Sequence, residues 1–199
     1  MAKQPQIITL HVGIDDITPT IWRRIEVDAD ITLRGLHHAI QAAFGWTSSH
    51  LHEFLLEGHT YAMLDNDGVL DSLEDLEQEA FDDRKAKLLR LTYPGQKFAY
   101  QYDFGDSWIH TITVEKIEPA AYKMGCANII DGQRACPPED VGGPHGYEEF
   151  LKVMQETPRS QQAKDNLMWL GGPFDPDAFD KRVANSTLLR MGWNGWGKK

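Results

Sequence analysis

An α+β fold is what this 199-residue sequence predicts: an antiparallel sheet or roll that starts ββαββ, one helix packed on it, and further helices at the C-terminal end. Three observations carry that expectation. Residues 6–14 alternate, with Ile8, Leu10, Val12 and Ile14 on one face, which is the period of a half-buried strand. Residues 33–44 change to helical spacing, placing Leu33, Leu36, His37, Ile40 and Phe44 on one stripe. From His52 onward the chain returns to short alternating runs separated by turn residues.

In order, Asp15-Asp16-Ile17-Thr18-Pro19 reads as a turn, and 20–27 returns as a second strand. Thr32 is placed to cap the helix over 33–44 and Gly45 to stop it. A third strand starts near His52, with His52, Phe54 and Leu56 on one face, and Gly58 turns it toward a short segment around Tyr61. Residues 65–83 hold nine Asp or Glu and no Lys or Arg, the pattern of a solvated acidic loop with a short helix at 72–81. Strands are expected again at 86–92, 97–104 and 109–117, the last two joined by a turn at Gly105-Asp106 that calls for positive φ at the glycine. The Gly- and Pro-rich stretch 119–144 reads as loop. Helices follow at 146–155 and about 160–170, and a last one starts at Asp175-Pro176. The reading is a single domain over 1–199: core 6–118, long loop 119–145, helical part 146–186, tail 187–199.

Composition narrows the function classes. Thirty acidic against 20 basic residues give a net charge of −10, which disfavours unaided nucleic-acid binding unless basic residues cluster. The steps Trp22-Arg23-Arg24 and Arg84-Lys85-Ala86-Lys87 do not make a patch. No apolar run approaches the ~18 residues of a membrane span, and residues 1–6 show no apolar signal region, so a cytoplasmic protein is expected. Cys126 and Cys136 are expected as reduced thiols.

The chemistry concentrates in Tyr100-Gln101-Tyr102-Asp103-Phe104-Gly105-Asp106-Ser107-Trp108-Ile109-His110. Hairpin turns favour small polar residues, so carboxylates, an imidazole and large aromatics at one turn point to a site. His50-Leu51-His52 adds two imidazoles at alternate positions, the spacing of an N-donor pair. His52 and His110 share the apolar faces of their strands and are expected to point inward, toward Asp103 and Asp106. Such a set serves either a hydrogen-bonded network, a metal site or an acid–base pair. Cys126, Cys136 and His145 are three further zinc-type ligands, but the ten-residue step between the cysteines departs from the usual tight pairs. Glu139 and Asp140, ahead of Gly142-Gly143, are hard-cation ligands or an acidic cap for the next helix. Asp65, Asp67, Gly68, Asp71 and Glu74 fit an EF-hand register only with Met63 in the first ligand position, so an acidic turn is the reading there.

Several segments together resemble the plasmid pRiA4b ORF-3-like family. They are Pro19-Thr20-Ile21-Trp22-Arg23-Arg24, Leu33-Arg34-Gly35-Leu36-His37, Phe44-Gly45-Trp46, and His50-Leu51-His52-Glu53-Phe54. Tyr102 through His110, Cys136-Pro137-Pro138-Glu139-Asp140-Val141-Gly142-Gly143, Asp175-Pro176-Asp177 and Phe179-Asp180 complete the set. The resemblance implies an α+β fold of plasmid or mobile-element origin and no agreed activity, although similar proteins include some labelled resolvase-like passengers of insertion elements. Val141 departs from similar proteins, which often have a third cysteine there.

The leading expectation is a non-catalytic accessory module that takes a small ligand or peptide in a cleft lined by His50, His52, Tyr102, Asp103, Asp106, Trp108, His110, Glu139 and Asp140. No cofactor is expected; zinc or another divalent metal is the alternative, with His50, His52, His110, Cys126, Cys136 and His145 as ligands. Two rival readings are a metal-assisted hydrolase using His50, His52, Asp103, Asp106 and His110, and a DNA-associated protein using Arg23, Arg24 and Arg34.

Overall fold

A computed structural model describes residues 4–64, 80–125 and 127–194. These residues form one eight-stranded sheet in the order β5-β4-β3-β6-β7-β1-β2-β8. The strands are β1 (Gln6–Ile14), β2 (Trp22–Asp28), β3 (His52–Leu56), β4 (His59–Ala62), β5 (Ala80–Asp82), β6 (Lys97–Tyr102), β7 (Trp108–Pro119) and β8 (Asn128–Gln133). All neighbours pair antiparallel except β4 and β5, so the α+β class and its ββαββ opening stand. The helices are α1 (Leu33–Phe44), α2 (Leu88–Leu91), α3 (Gly143–Glu156), α4 (Gln161–Leu170) and α5 (Lys181–Trp193). No helix among the described residues is long and apolar enough to cross a membrane.

The alternation in β1 does what its period requires: Ile8, Leu10, Val12 and Ile14 are buried in one apolar cluster with Leu33, Leu36, Ala39, Ile40 and Phe44 of α1. Thr32 Oγ1 accepts the Gly35 amide at 3.0 Å, satisfying one of the orphan donors at the helix start. Gly45, at φ 101°, returns its own amide to the Gln41 carbonyl and ends the helix in the left-handed region.

Arg23 is not part of a basic surface. Its side chain is 2 % exposed and its guanidinium donates to four backbone carbonyls: Ala43 at 3.0 Å, Trp22 at 2.8 Å, Gln133 at 2.9 Å and Arg134 at 2.9 Å. Phe44 and Phe179 lie 4.8 and 4.2 Å from its central carbon, the latter packed where Gly132 leaves no Cβ. The Ala43 carbonyl belongs to the last turn of α1, the negative end of its dipole, so the cation also compensates a helix terminus. Arg23 thereby ties β2, α1 and the end of β8 together.

Four local expectations need correction. The segment 86–92, expected as a strand, holds instead the single turn α2, anchored by Leu88 N–H on the Ile31 carbonyl at 2.9 Å. So short a segment, with leucines at 88, 89 and 91, does not distinguish the two states by periodicity. Inside the supposed loop 119–144 lies β8, an edge strand beside β2 whose Asp131-Gly132 pair imitates a turn. Asn185 of α5 clasps this edge, accepting the Ile129 amide at 2.8 Å and donating to the Ile129 carbonyl at 2.9 Å. The last helix starts at Lys181 because Asp180 Oδ1 caps it, accepting from Arg182 and Val183, while Asp175-Pro176-Asp177-Ala178 closes as a turn. At the hairpin turn, positive φ falls on Asp103 (56°) and Ser107 (55°) instead of on Gly105. The proposed helix at 72–81, the EF-hand register over 63–74 apart from Met63 and Leu64, Cys126 and residues 195–199 of the tail lie outside the described residues, save that 80 and 81 belong to β5.

Candidate functional site: an imidazole among carboxylates

Three segments build the site. The first is the connection from α1 to β3, residues 45–51. Trp46 Nε1 donates to the Pro137 carbonyl at 3.0 Å, Ser48 N–H to Gln41 Oε1 at 2.9 Å, and Ser49 N–H to the Tyr102 hydroxyl at 3.1 Å. Ser48 is held at φ 57°. This places His50 just before the strand that the hairpin extends.

The second segment is the turn between β6 and β7. Asp103 N–H donates to the Leu51 carbonyl at 2.9 Å, and Asp103 Oδ1 accepts the amides of Gly105 (3.0 Å) and Asp106 (3.3 Å). The second oxygen, Oδ2, has no hydrogen bond among the described residues and lies 3.5 Å from His50 Nε2. Asp103, buried as a residue, therefore spends one carboxylate oxygen on its own turn and directs the other at the imidazole.

The third is the loop Cys136–Gly143. Gly143 approaches the hairpin so closely that a Cβ there would sit 2.3 Å from the Asp106 carbonyl oxygen, and its φ is 69°. Asp106 Oδ2 accepts the amide of Gly142, the N-cap residue of α3, at 3.1 Å, the bond that the reciprocal half of a capping box makes. Asp106→Ala is expected to cost about 1 kcal/mol, seen as a small drop in the urea midpoint. A change of several kcal/mol would mean that Asp106 has partners beyond this bond.

Docked this way, the loop delivers Glu139 and Asp140. Glu139 Oε1 accepts Thr47 N–H at 2.8 Å, Thr47 Oγ1 at 3.0 Å and the Tyr102 hydroxyl at 3.1 Å. Its Oε2 is 4.0 Å from His50 Nε2, and Asp140 Oδ1 is 3.1 Å from the same nitrogen. Burial pushes the Tyr102 phenol up to about 12, and the Glu139 charge beside it pushes the same way. Tyr102 is thus a neutral donor that fixes Glu139.

The cluster gathers His50, Asp103, Glu139 and Asp140, with Tyr102 behind them, and leaves the other expected residues elsewhere. His52 is buried; its Nε2 lies 2.9 Å from Asp83 Oδ2 and its ring stacks on His37 at 3.6 Å. Arg34 holds both Asp83 oxygens, at 2.9 and 3.0 Å. Burial pushes the His52 imidazole down although the Asp83 carboxylate opposes it. Burial would raise the Asp83 carboxyl, but hydrogen bonds from His52 and Arg34 outweigh it and hold the group below its usual range. His110 is fully buried, with Nδ1 on the Trp108 and Tyr100 carbonyls at 3.1 and 3.3 Å, and with Phe44 and Trp46 edge-on to its ring. Trp108 is core, 5.8 Å from the ring of Trp46. Both histidines point inward as their parity required, but inward here is the core.

Neither rival reading finds its residues assembled. The five-residue hydrolase set is divided between this cluster, the His52–Asp83 pair and the core. Cys136 is half-buried, with burial pushing its thiol well above the usual value, and His145 is exposed. Neither belongs to the group of ligand atoms around His50. Of the arginines a DNA reading needs, Arg23 is buried, Arg34 is spent on Asp83, and Arg24 is paired with Glu115 at 2.8 Å. Thr47, Gln41 and Asp83 were missed in the sequence. Thr47 and Gln41 carry no pattern of their own, and Asp83 ends an acidic run that reads as solvated.

Fold and site define a class of protein: a mostly antiparallel α+β sheet that sets an imidazole among carboxylates where its hairpin meets a Pro- and Gly-rich loop. The chain belongs to the plasmid pRiA4b ORF-3-like family, whose model matches residues 6–183. It is 35% identical over 186 residues to "Uncharacterized protein y4hQ" of Sinorhizobium fredii (strain NBRC 101917 / NGR234), covering 92% of this chain and 88% of that one. It is also similar to MM3350 from Methanosarcina mazei Go1, a protein of unknown function with a crystal structure. That match has 34% identity and a TM-score of 0.77, covering 91% of this chain and 97% of the other.

Proposed function

We propose that the protein is a binding module whose site is the cluster of His50, Asp103, Glu139 and Asp140, and that its ligand presents positive charge. One observation carries this reading: three carboxylates from two separate loops converge on one imidazole, and no Lys or Arg among the described residues pairs with any of them. Like charges held together disfavour one another, so the arrangement gains stability from a cation that all three share. Positive φ at Asp103 and Asp140 adds weight, since strained non-glycine backbone collects where geometry serves binding.

The reading keeps the small-ligand or peptide partner expected from the sequence and narrows it to an amine, a guanidinium or an inorganic cation. The metal-assisted hydrolase receives less support, because His52 and His110 are occupied elsewhere. Titration calorimetry with spermidine and with a lysine-containing peptide, at physiological ionic strength, tests the proposal. Saturable binding of a positively charged probe that is lost in Asp140→Asn is expected. Asp140 has 69 % of its side chain exposed, so this substitution leaves the fold intact. No binding of any positively charged probe, or binding that Asp140→Asn leaves unchanged, would overturn the reading.

A further inference from the structure

We infer that the cation is a divalent transition metal, held directly by His50 Nε2, Asp103 Oδ2 and Asp140 Oδ1, with Glu139 Oε2 next to them. This rests on the binding reading above and specifies its ligand.

The argument begins at the imidazole nitrogen. His50 Nε2 is buried as an atom and makes no hydrogen bond, although carboxylate oxygens stand 3.1, 3.5 and 4.0 Å away. A proton on that nitrogen would serve one acceptor lying in line with the N–H. Asp140 Oδ1 stands at hydrogen-bonding distance, 3.1 Å, yet makes no hydrogen bond with this nitrogen. Buried polar atoms without a partner call for an explanation, an ion among them. The second unused atom is Asp103 Oδ2, on a buried carboxylate whose other oxygen is fixed by two amides.

The spacing suits a small cation. Metal–ligand bonds of about 2.1 Å set tetrahedral ligand atoms roughly 3.4 Å apart. His50 Nε2 stands 3.1 Å from Asp140 Oδ1 and 3.5 Å from Asp103 Oδ2, and all three ligand atoms lie within 4.8 Å of one another. An adjustment of the exposed Asp140 side chain closes the remaining gap. One imidazole nitrogen with carboxylate oxygens fits zinc or manganese. Calcium, which takes six to eight oxygens, is a poor match. Supporting contacts hold the ligands: Tyr102 and Thr47 fix Glu139, and the hairpin amides fix Asp103. Such outer partners orient ligands in metal sites generally. Three protein ligands leave coordination positions open toward solvent on the Asp140 side.

The test is calorimetric titration of the EDTA-treated, dialysed full chain with zinc chloride and, separately, manganese chloride, with calcium chloride as contrast. One equivalent of zinc or manganese should bind at micromolar Kd or tighter, with calcium at least tenfold weaker. His50→Ala and Asp140→Asn should each weaken binding at least tenfold while leaving the metal-free urea midpoint at the wild-type value. If His50→Ala fails to fold, Asp140→Asn, on an exposed loop position, decides alone. Absence of zinc and manganese binding, binding that these substitutions do not alter, or calcium binding as tight as either metal would overturn the metal assignment. Spermidine or peptide binding that depends on Asp140, without metal binding, would leave the binding reading standing and remove only the metal. Failure of every cation would remove both.

Discussion

Replacing Arg23 with methionine is expected to lower the stability of the fold by about 3–5 kcal/mol, since several carbonyls lose a charged donor and a buried one left unsatisfied costs about 1–3 kcal/mol. Methionine keeps much of the volume between Phe44 and Phe179 but donates nothing. The carbonyls of Trp22, Ala43, Gln133 and Arg134 each lose a donor, and those buried by the surrounding chain cannot recruit water. Burial already holds the guanidinium down to about 10, yet it stays charged at neutral pH because the carbonyl dipoles replace its hydration. Lysine should not rescue the loss, since a single ammonium cannot address acceptors spread over β2, α1 and the end of β8. Urea denaturation of wild type, Arg23→Met and Arg23→Lys measures the effect. A loss under about 1 kcal/mol in the methionine variant would show that the carbonyls find other donors and that Arg23 does not pin these elements.

The second large effect is expected from acid. Burial lowers the His110 imidazole to about 4 from its ordinary 6.5, although hydrogen bonds to the Trp108 and Tyr100 carbonyls oppose the shift. Nδ1 serves those carbonyls, and Nε2 faces no acceptor among the described residues, so a second proton has nowhere to be shared. The folded state therefore takes up this proton later than the unfolded state. Its contribution is fully present above pH 6.5 and is lost as pH falls from 6.5 toward 4, by about 3 kcal/mol in all at 1.36 kcal/mol per pKa unit. Buried His37 and His52 and the partly buried His38, each also lowered first by burial, add loss in the same direction. The measurement is the urea midpoint at pH 7.5 and pH 4.5 for wild type and His110→Phe. The variant should lose about 2 kcal/mol less over that interval. Equal losses would mean that His110 is solvated or finds an acceptor for its second proton.

How much of this was legible in the sequence depends on how local each cause is. The cap pair Thr32 and Gly45 fixed α1 to the residue, because both ends are set by backbone groups within four positions. The hairpin was legible for a similar reason, and so was the chemistry it carries. His50, Asp103, Glu139 and Asp140 were all named from residue type alone. They were expected in one cleft with five other residues; which of the nine come together was not legible, because it follows from a docking between residues more than thirty positions apart that Gly143 permits by lacking a side chain. Parity put His52 and His110 inward, which was right about direction and silent about distance from the surface. Arg23 offered no signal at all: four carbonyls supply its acceptors, and a carbonyl has no sequence identity. The strand β8 was hidden for a related reason, since an edge strand buries little and Asp131-Gly132 carries turn chemistry into its middle.

The Asn185 clasp on Ile129 bears on how the molecule behaves in a crowd. A sheet border with free amides and carbonyls invites a strand from another chain, the first step toward swapped dimers and fibrils. One carboxamide held against Ile129 occupies the donor and acceptor an incoming strand would use, and Lys181 covers the neighbouring Ile130 carbonyl. Helix α5 is thus a guard rail on this edge as well as a packing element.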